Sequence, residues 1–267
     1  MRMSQIGIKR WKNKYLLLSI LFLFVLLVIS FLVNGEILKV LFSDAYESFA
    51  DKKMIIDQEL CWEFLLFDGV YYLENVFPIF AIIVVFPFWE ELNSFFIMAA
   101  NRLKNRRMSI VKSIVSYGIM GGLAISLGFF LYFCAGYYFC IPTLNVLSGF
   151  ESIFNYQLYH DHPFLFLCFM DFTIYFLIGF LFAVMSCGVM LVTNNRITAI
   201  IFPLFVFVVG SFVGNSLGIR LLQFSSCITV FCTDYTTGQC FVPLITVAII
   251  DLIIIMIGIR KNEKIIV

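Results

Sequence analysis

Three carboxylates lie inside stretches of the chain that are otherwise almost purely apolar: Glu74, Asp171 and Asp251. A charged side chain at membrane depth is costly, so an acidic residue there is a candidate for function. Glu74 and Asp171 could meet a cationic part of a transported substrate. The alternative is that these carboxyls form hydrogen bonds between helices. No Lys or Arg stands in the middle of an apolar stretch, so the sequence predicts no relay of paired charges.

Both histidines of the chain, His160 and His162, lie in the short segment "YHDHP". A pair of histidines two residues apart can bind a metal, but it needs further ligands. Asp161 and Glu151 are the local candidates for these. The pattern therefore predicts a surface loop and no metal site.

Motifs of catalysis are missing from the sequence. It contains no Gly-x-x-x-x-Gly-Lys-Ser/Thr, the loop that cradles nucleotide phosphates, so we expect no ATP hydrolysis by this chain. Glu90-Glu91 is similar to the Glu-Glu-x-x-x-Arg of CAAX-type intramembrane proteases, but Phe95 stands where that motif needs Arg. Because no histidine lies in an apolar stretch, a rhomboid-like serine protease is not predicted either. We predict no catalytic residues, with an intramembrane enzyme as the least favoured alternative.

The composition places the chain in a membrane. Of its 267 residues 62% are hydrophobic and only 13% are charged, whereas a soluble domain averages about half and about a quarter. The net charge of +1 leaves no broad basic patch for nucleic acid. Six apolar stretches are long enough to span. The sequence predicts an all-α integral membrane protein, a single transmembrane domain over residues 1–267, with spans at about 15–33, 70–89, 110–139, 164–192, 197–213 and 241–259.

The distribution of Lys and Arg predicts the orientation. If the N-terminus is inside, all but four of the 18 basic residues fall on the inner side, as the positive-inside rule requires. Both termini are therefore predicted to be cytoplasmic. The predicted outer segment 34–69 is acidic. Its pattern fits either a gate or cover for cationic ligands, or a solvated loop with an apolar underside. The four basic residues on the outer side are Lys39, Lys52, Lys53 and Arg220.

The loop between the second and third spans predicts a short amphipathic helix at the inner membrane face. Glu90 and Glu91 open it, where negative charge suits a helix N-terminus, and basic residues close it. Its apolar positions share one face. They are Leu92, Phe95, Phe96, Ala99, Ala100 and Leu103, and the basic residues that follow are Arg102, Lys104, Arg106 and Arg107.

Glycines four residues apart mark the end of the fifth span: Gly210, Gly214 and Gly218. Such spacing lets another helix approach closely, either from a second subunit or from the same chain. The segment that follows is apolar but too broken to span, so it predicts short helices packed against protein at the outer side.

The loop pattern resembles that of permease subunits of type-2 ABC exporters, which have six spans and both termini inside. In that class a Glu after the second span precedes a small "coupling" helix, a basic turn and a Lys early in the third span. Here Glu91, the helix from Leu92 to Leu103, the turn Arg106 to Ser109, and Lys112 occupy those places. The Ser that usually precedes the Arg is replaced by Asn105.

The resemblance implies that the coupling helix docks on a cytoplasmic ABC ATPase subunit, which would hold ATP and Mg while this chain holds no cofactor. It also implies a second permease, the same or a related chain, facing spans one and five. We therefore expect an exporter of an amphipathic, antimicrobial-type peptide or of a lipid, in the cell membrane of a Gram-positive bacterium. The alternative is a channel or membrane scaffold without an ATPase partner. Cargo, transport direction and subunit pairing stay open.

Overall fold

The computed structural model describes residues 14–35, 37–42, 49–95, 106–139, 156–229 and 238–264. This part of the chain is helical and holds no β-strand, which confirms the all-α prediction. Its α-helices are α1 (Lys14–Asn34), α2 (Ile37–Phe42), α3 (Phe49–Glu59), α4 (Trp62–Tyr71), α5 (Ile79–Val84), α6 (Phe86–Glu90), α7 (Arg106–Tyr137), α8 (Tyr156–Asp161), α9 (Pro163–Met170), α10 (Phe176–Thr193), α11 (Arg196–Leu217) and α12 (Val242–Lys264).

Five helical stretches are long and apolar enough to cross a membrane. They match the first, third, fourth, fifth and sixth predicted spans. Their number, length and composition are compatible with a multi-pass membrane protein. The stretch that matches the fourth predicted span, Pro163–Thr193, joins α9 and α10 through a π-helical turn, Asp171–Tyr175. The five stretches are Lys14–Asn34, Arg107–Tyr137, Pro163–Thr193, Arg196–Leu217 and Gln239–Lys261.

The predicted second span is not one regular helix. Between α4 and α5 the chain runs through turns, and Pro78 and Pro87 each stand where a new helix starts. Proline has no backbone N–H and its ring clashes with the preceding turn, so a regular helix cannot run through these positions undisturbed. A crossing of the membrane by this segment stays a prediction.

Part of this interrupted segment is nevertheless fully enclosed within the bundle. Phe77, Phe80, Val84 and Phe88 have no exposed surface at all. It packs against α1, α7 and α10. Irregular backbone at membrane depth is tolerated where protein surrounds it, because lipid offers no hydrogen bonds to free backbone groups.

The helices divide into a centre and a periphery. In their apolar stretches 61% of α7 and 67% of residues 163–193 are buried, against 33% of α1 and 28% each of α11 and α12. The outer three helices carry rows of exposed apolar side chains, as a surface in contact with lipid requires. Examples are Leu17, Phe22, Ile201, Phe205, Leu252 and Met256.

Small residues let the two central helices touch. A Cβ atom placed on Gly179 of α10 would lie 2.7 Å from the carbonyl oxygen of Gly121 and 3.0 Å from Cα of Gly122, both on α7. Beside this contact an aromatic group fills the centre, with the rings of Phe129 and Tyr175 4.5 Å apart. The backbones of α7 and α10 approach closely because none of these three glycines adds a side chain at the crossing.

We predict that Gly179→Ala lowers stability. The new methyl group would press on backbone atoms of α7, and overpacking of this kind costs about 1–3 kcal/mol. Thermal unfolding of the purified protein, followed by tryptophan fluorescence, measures the effect. The control is Gly238→Ala, because no described atom lies within 4 Å of a Cβ there. Equal melting temperatures for the two variants would contradict the close crossing.

Candidate functional site

Five residues form a polar cluster where the segment after α5 meets the turn between α10 and α11. We call Trp89, Glu90, Asn93, Asn194 and Arg196 the Asn194 cluster. Residues about 100 positions apart along the chain meet here through several polar contacts. The cluster joins the start of the predicted coupling segment, between the second and third predicted spans, to the turn between the fourth and fifth.

Arg196 makes two contacts across the cluster. Its Nη2 atom lies 3.2 Å from Oε1 of Glu90, and its guanidinium carbon lies 4.0 Å from the ring centre of Trp89. Both partners of the ion pair are largely exposed, so the pair alone contributes little. The planar guanidinium can stack and pair at once, which fixes its direction in a way that a lysine would not.

Asn194 holds the centre of the cluster through backbone and side chain. Its amide and that of Asn93 exchange hydrogen bonds of 3.0 and 3.1 Å, and Nε1 of Trp89 donates to its carbonyl oxygen at 3.2 Å. Its φ of 53° lies in the left-handed region, where it ends α10. Asn tolerates that region better than most residues. The next residue, Asn195, caps α11 by accepting a hydrogen bond from the N–H of Ile197.

Two further contacts extend this end of the bundle. The hydroxyl of Tyr117 on α7 donates to Oε1 of Glu91 at 2.9 Å, and its ring packs edge-on against Phe88. Nζ of Lys261 on α12 donates to the carbonyl oxygen of Val192 at 2.7 Å. Ends of α6, α7, α10, α11 and α12 are therefore linked by polar contacts in one region.

The structure describes part of the predicted coupling segment. Glu90 is the last residue of α6, which continues directly into a π-helical turn, Glu91–Phe95. The rest of the predicted coupling helix lies outside the described residues, so that helix stays a prediction. Leu92 packs against the core, while Arg107 and Lys112 are exposed on the first turns of α7. Phe96, Ala99 and Leu103 lie outside the described residues, as do the side chains of Phe95 and Arg106.

The two acidic residues predicted to line a substrate pathway lie in different surroundings. Glu74 is half-buried and lines an open cleft with Asn75 and residues of α11. Asp171 is fully buried in the π-helical turn, and neither of its carboxylate oxygens has a hydrogen-bond partner among the described residues. Ser126 of α7 donates to its backbone carbonyl oxygen at 3.3 Å. Asp251 on α12 is likewise buried, with no partner in this part of the chain.

The acidic segment that is predicted to lie outside is not solvated throughout. Glu63 and Asp68 on α4 are buried, and the hydroxyl of Tyr159 donates to Oε1 of Glu63. Nδ2 of Asn34 donates to Oδ1 of Asp68 at 2.6 Å. Burial raises the pKa of the Asp68 carboxyl, and the hydrogen bond from Asn34 opposes that change. These two carboxyls attach α4 to its neighbours. For these two residues the contacts therefore differ from both predicted alternatives, a gate for cationic ligands and a solvated loop.

The glycines of α11 pack within the chain. A Cβ atom on Gly210 would lie 2.2 Å from the ring of Phe224, and one on Gly214 would lie 2.5 Å from the backbone of Leu222. Gly218 ends α11 with a φ of 67°. After it the chain returns through short 3₁₀ turns, Arg220–Leu222 and Ser225–Cys227, as the broken pattern predicts. We call residues 219–228 the return segment. A subunit interface through the glycine face of α11 would require this return segment to move.

Sequence reasoning singled out Glu90 and Glu91 but missed their partners. The signal for Asn194 and Arg196 was the run "TNNR", a polar interruption between two apolar stretches, which predicts a turn but not what the turn contacts. Tyr117 gave no signal, because a tyrosine within an apolar helix is common.

Comparison with models of known protein families, with curated proteins and with solved structures finds no match to this chain. Function is therefore argued from the residues themselves.

We predict that Asn194→Ala destabilises the protein more than Asn194→Gly. Both lose the amide hydrogen bonds, worth about 0.5–1.5 kcal/mol each. Alanine must also adopt the left-handed conformation, at a further cost of about 1–2 kcal/mol, which glycine avoids. Denaturant unfolding of both variants beside the wild type measures the difference. An alanine variant as stable as the glycine variant would contradict the described backbone at this turn.

Proposed function

We propose that this chain is the membrane-spanning permease subunit of an ATP-driven exporter of the type-2 ABC class. The observation that carries the proposal is the Asn194 cluster. It lies at the start of the segment that resembles a coupling helix. A docking loop can drive a transporter only if its displacement reaches the spans, and this cluster gives such a connection.

The contacts suggest how the connection would act. Glu90 and Asn93 on the loop side hold Arg196 and Asn194 at the junction of the fourth and fifth spans. Tyr117 holds Glu91 to the third span. A pull on the loop by an ATPase subunit would therefore act on three helices together. Energetic coupling of this kind travels through networks of packed and hydrogen-bonded groups.

The peripheral helices support the pairing with a second permease. Only 33% and 28% of the apolar stretches of α1 and α11, which by the resemblance face the partner, are buried in the single chain. Such faces are covered either by lipid or by another subunit. The second permease would be the same or a related chain.

The cargo belongs to the same proposal. The chain is dominated by Phe, Ile and Leu, and an apolar pathway suits an amphipathic peptide or a lipid. The proposed location is the cell membrane of a Gram-positive bacterium, with both termini in the cytoplasm. ATP and Mg would be held by the separate ATPase subunit.

The test is purification of the tagged chain from its native membrane in mild detergent, with mass spectrometry of the proteins that accompany it. A stoichiometric partner with a phosphate-binding loop is expected. Recovery of the chain alone, or with membrane proteins only, would overturn the proposal in favour of a channel or scaffold.

We predict that Glu91→Lys, and separately the double change Phe95→Ala and Phe96→Ala, reduce recovery of the ATPase about tenfold or more. By the resemblance these side chains would contact the ATPase subunit, and loss of a buried anchor at an interface costs about 2 kcal/mol or more, which is more than tenfold in affinity. The matched control is Asp161→Lys, which reverses one exposed charge on the predicted outer side. Membrane insertion of all variants is checked by their yield in the membrane fraction. Undiminished recovery from correctly inserted loop variants would contradict the docking role.

A further inference from the structure

An open cleft of about 470 Å³ lies between the turns that follow α4 and the last turns of α11. Six of its eight lining residues are polar, which is unusual beside helices whose outward faces are apolar. Its volume is within the range of small-molecule sites, about 300–1,000 Å³. The lining residues are Glu74, Asn75, Val208, Ser211, Phe212, Asn215, Ser216 and Ser225.

Three polar residues of the cleft, Ser211, Asn215 and Ser225, are linked by hydrogen bonds. The N–H of Ser225 donates to Oγ of Ser211 at 3.0 Å, and Nδ2 of Asn215 lies 3.4 Å from Oγ of Ser225. The return segment can approach α11 this closely because Gly210 and Gly214 leave room for it. A preformed arrangement of this kind lowers the cost of ordering groups around a ligand.

Glu74 gives the cleft its charge. It alone is charged among the described residues that line the cleft, and within the described chain its carboxylate has no ion-pair or hydrogen-bond partner. A cleft that holds one carboxylate together with hydroxyl and amide groups suits a ligand that donates several hydrogen bonds and carries positive charge. An ammonium group, with up to three donors and no acceptor, has this chemistry.

The apolar side of the cleft suits the rest of such a ligand. Phe212 and Val208 are 73% and 41% exposed and lie along one edge of α11. An aromatic ring in this position can cover an apolar group and attract a cation. The cleft therefore pairs a carboxylate with an apolar edge.

The position of the cleft distinguishes it from the Asn194 cluster. Arg196 is the first residue of α11 and Asn215 stands near its end, 19 residues further along. At 1.5 Å per residue the two lie about 28 Å apart, close to the thickness of a bilayer core of about 30 Å. The cleft thus lies toward the membrane face opposite the cluster.

We propose that this cleft binds the ammonium group of an amphipathic cation, with Glu74 as its counter-ion and Phe212 against its apolar part. The further claim that the cleft binds transported cargo rests on the proposed function. Binding of the cation itself needs no ATPase partner. Failure of one proposal is therefore separable from failure of the other.

The test uses the full chain, purified and placed in lipid nanodiscs without any ATPase. Binding of tritiated phenethylammonium is measured by scintillation proximity, with 2-phenylethanol as a competitor of the same shape without the charge. We expect saturable binding that 2-phenylethanol does not displace. Glu74→Gln, which keeps the side-chain shape and removes the charge, should weaken binding about tenfold or more.

Asp161→Asn is the control, because it removes an exposed carboxylate that does not line the cleft. It should leave the affinity unchanged. Absence of saturable binding to the wild type, or equal affinity of wild type and Glu74→Gln, would overturn the proposal. If Glu74→Gln does not give a monodisperse protein, Asn215→Leu takes its place, and an unchanged affinity there counts against the cleft in the same way.

Discussion

The rest of the fold depends on the need to enclose an irregular backbone in the middle of a helical bundle. From Tyr71 to Phe86 the chain makes tight turns and short helices, in which many backbone N–H groups donate to the carbonyl three residues earlier instead of four. In contact with lipid each unsatisfied group would cost several kcal/mol. The third and fourth spans, with the first, cover this segment on its sides. That requirement explains why α7 and α10 form the centre and why small residues such as Gly121 and Gly179 lie where they cross.

The same interruption allows the two polar regions to form. A straight helix over residues 70–89 would present its side chains in a fixed rotation along its whole length. The breaks at Pro78 and Pro87 let the start and the end of this segment adopt different rotations. One half places Glu74 in the cleft beside α11, and the other places Trp89 and Glu90 against Arg196. Both regions thus join this segment to the ends of a single helix, α11.

The two buried acids of the spans show a different constraint. Asp171 and Asp251 have no partner among the described residues, although an unpaired carboxyl in an apolar setting destabilises a fold. Asp171 also lies in a π-helical turn, a feature that often accompanies functional sites. It is fully buried and does not line the cleft that Glu74 lines, so a pathway shared by Glu74 and Asp171 stays a prediction.

Local composition predicts the helical class, five of the apolar helical stretches within a few residues of their ends, and the polar junctions between them. It does so because an apolar run of about 20 residues has few other stable forms in a membrane. The sequence pattern also points to Glu74, Glu90 and Glu91 as residues of interest. Their contacts depend on the packing of the helices: Arg196 for Glu90, Tyr117 for Glu91, and a cleft shared with α11 for Glu74. Contacts between residues 26 to 106 positions apart depend on how the helices pack and rotate, and no local pattern encodes that rotation.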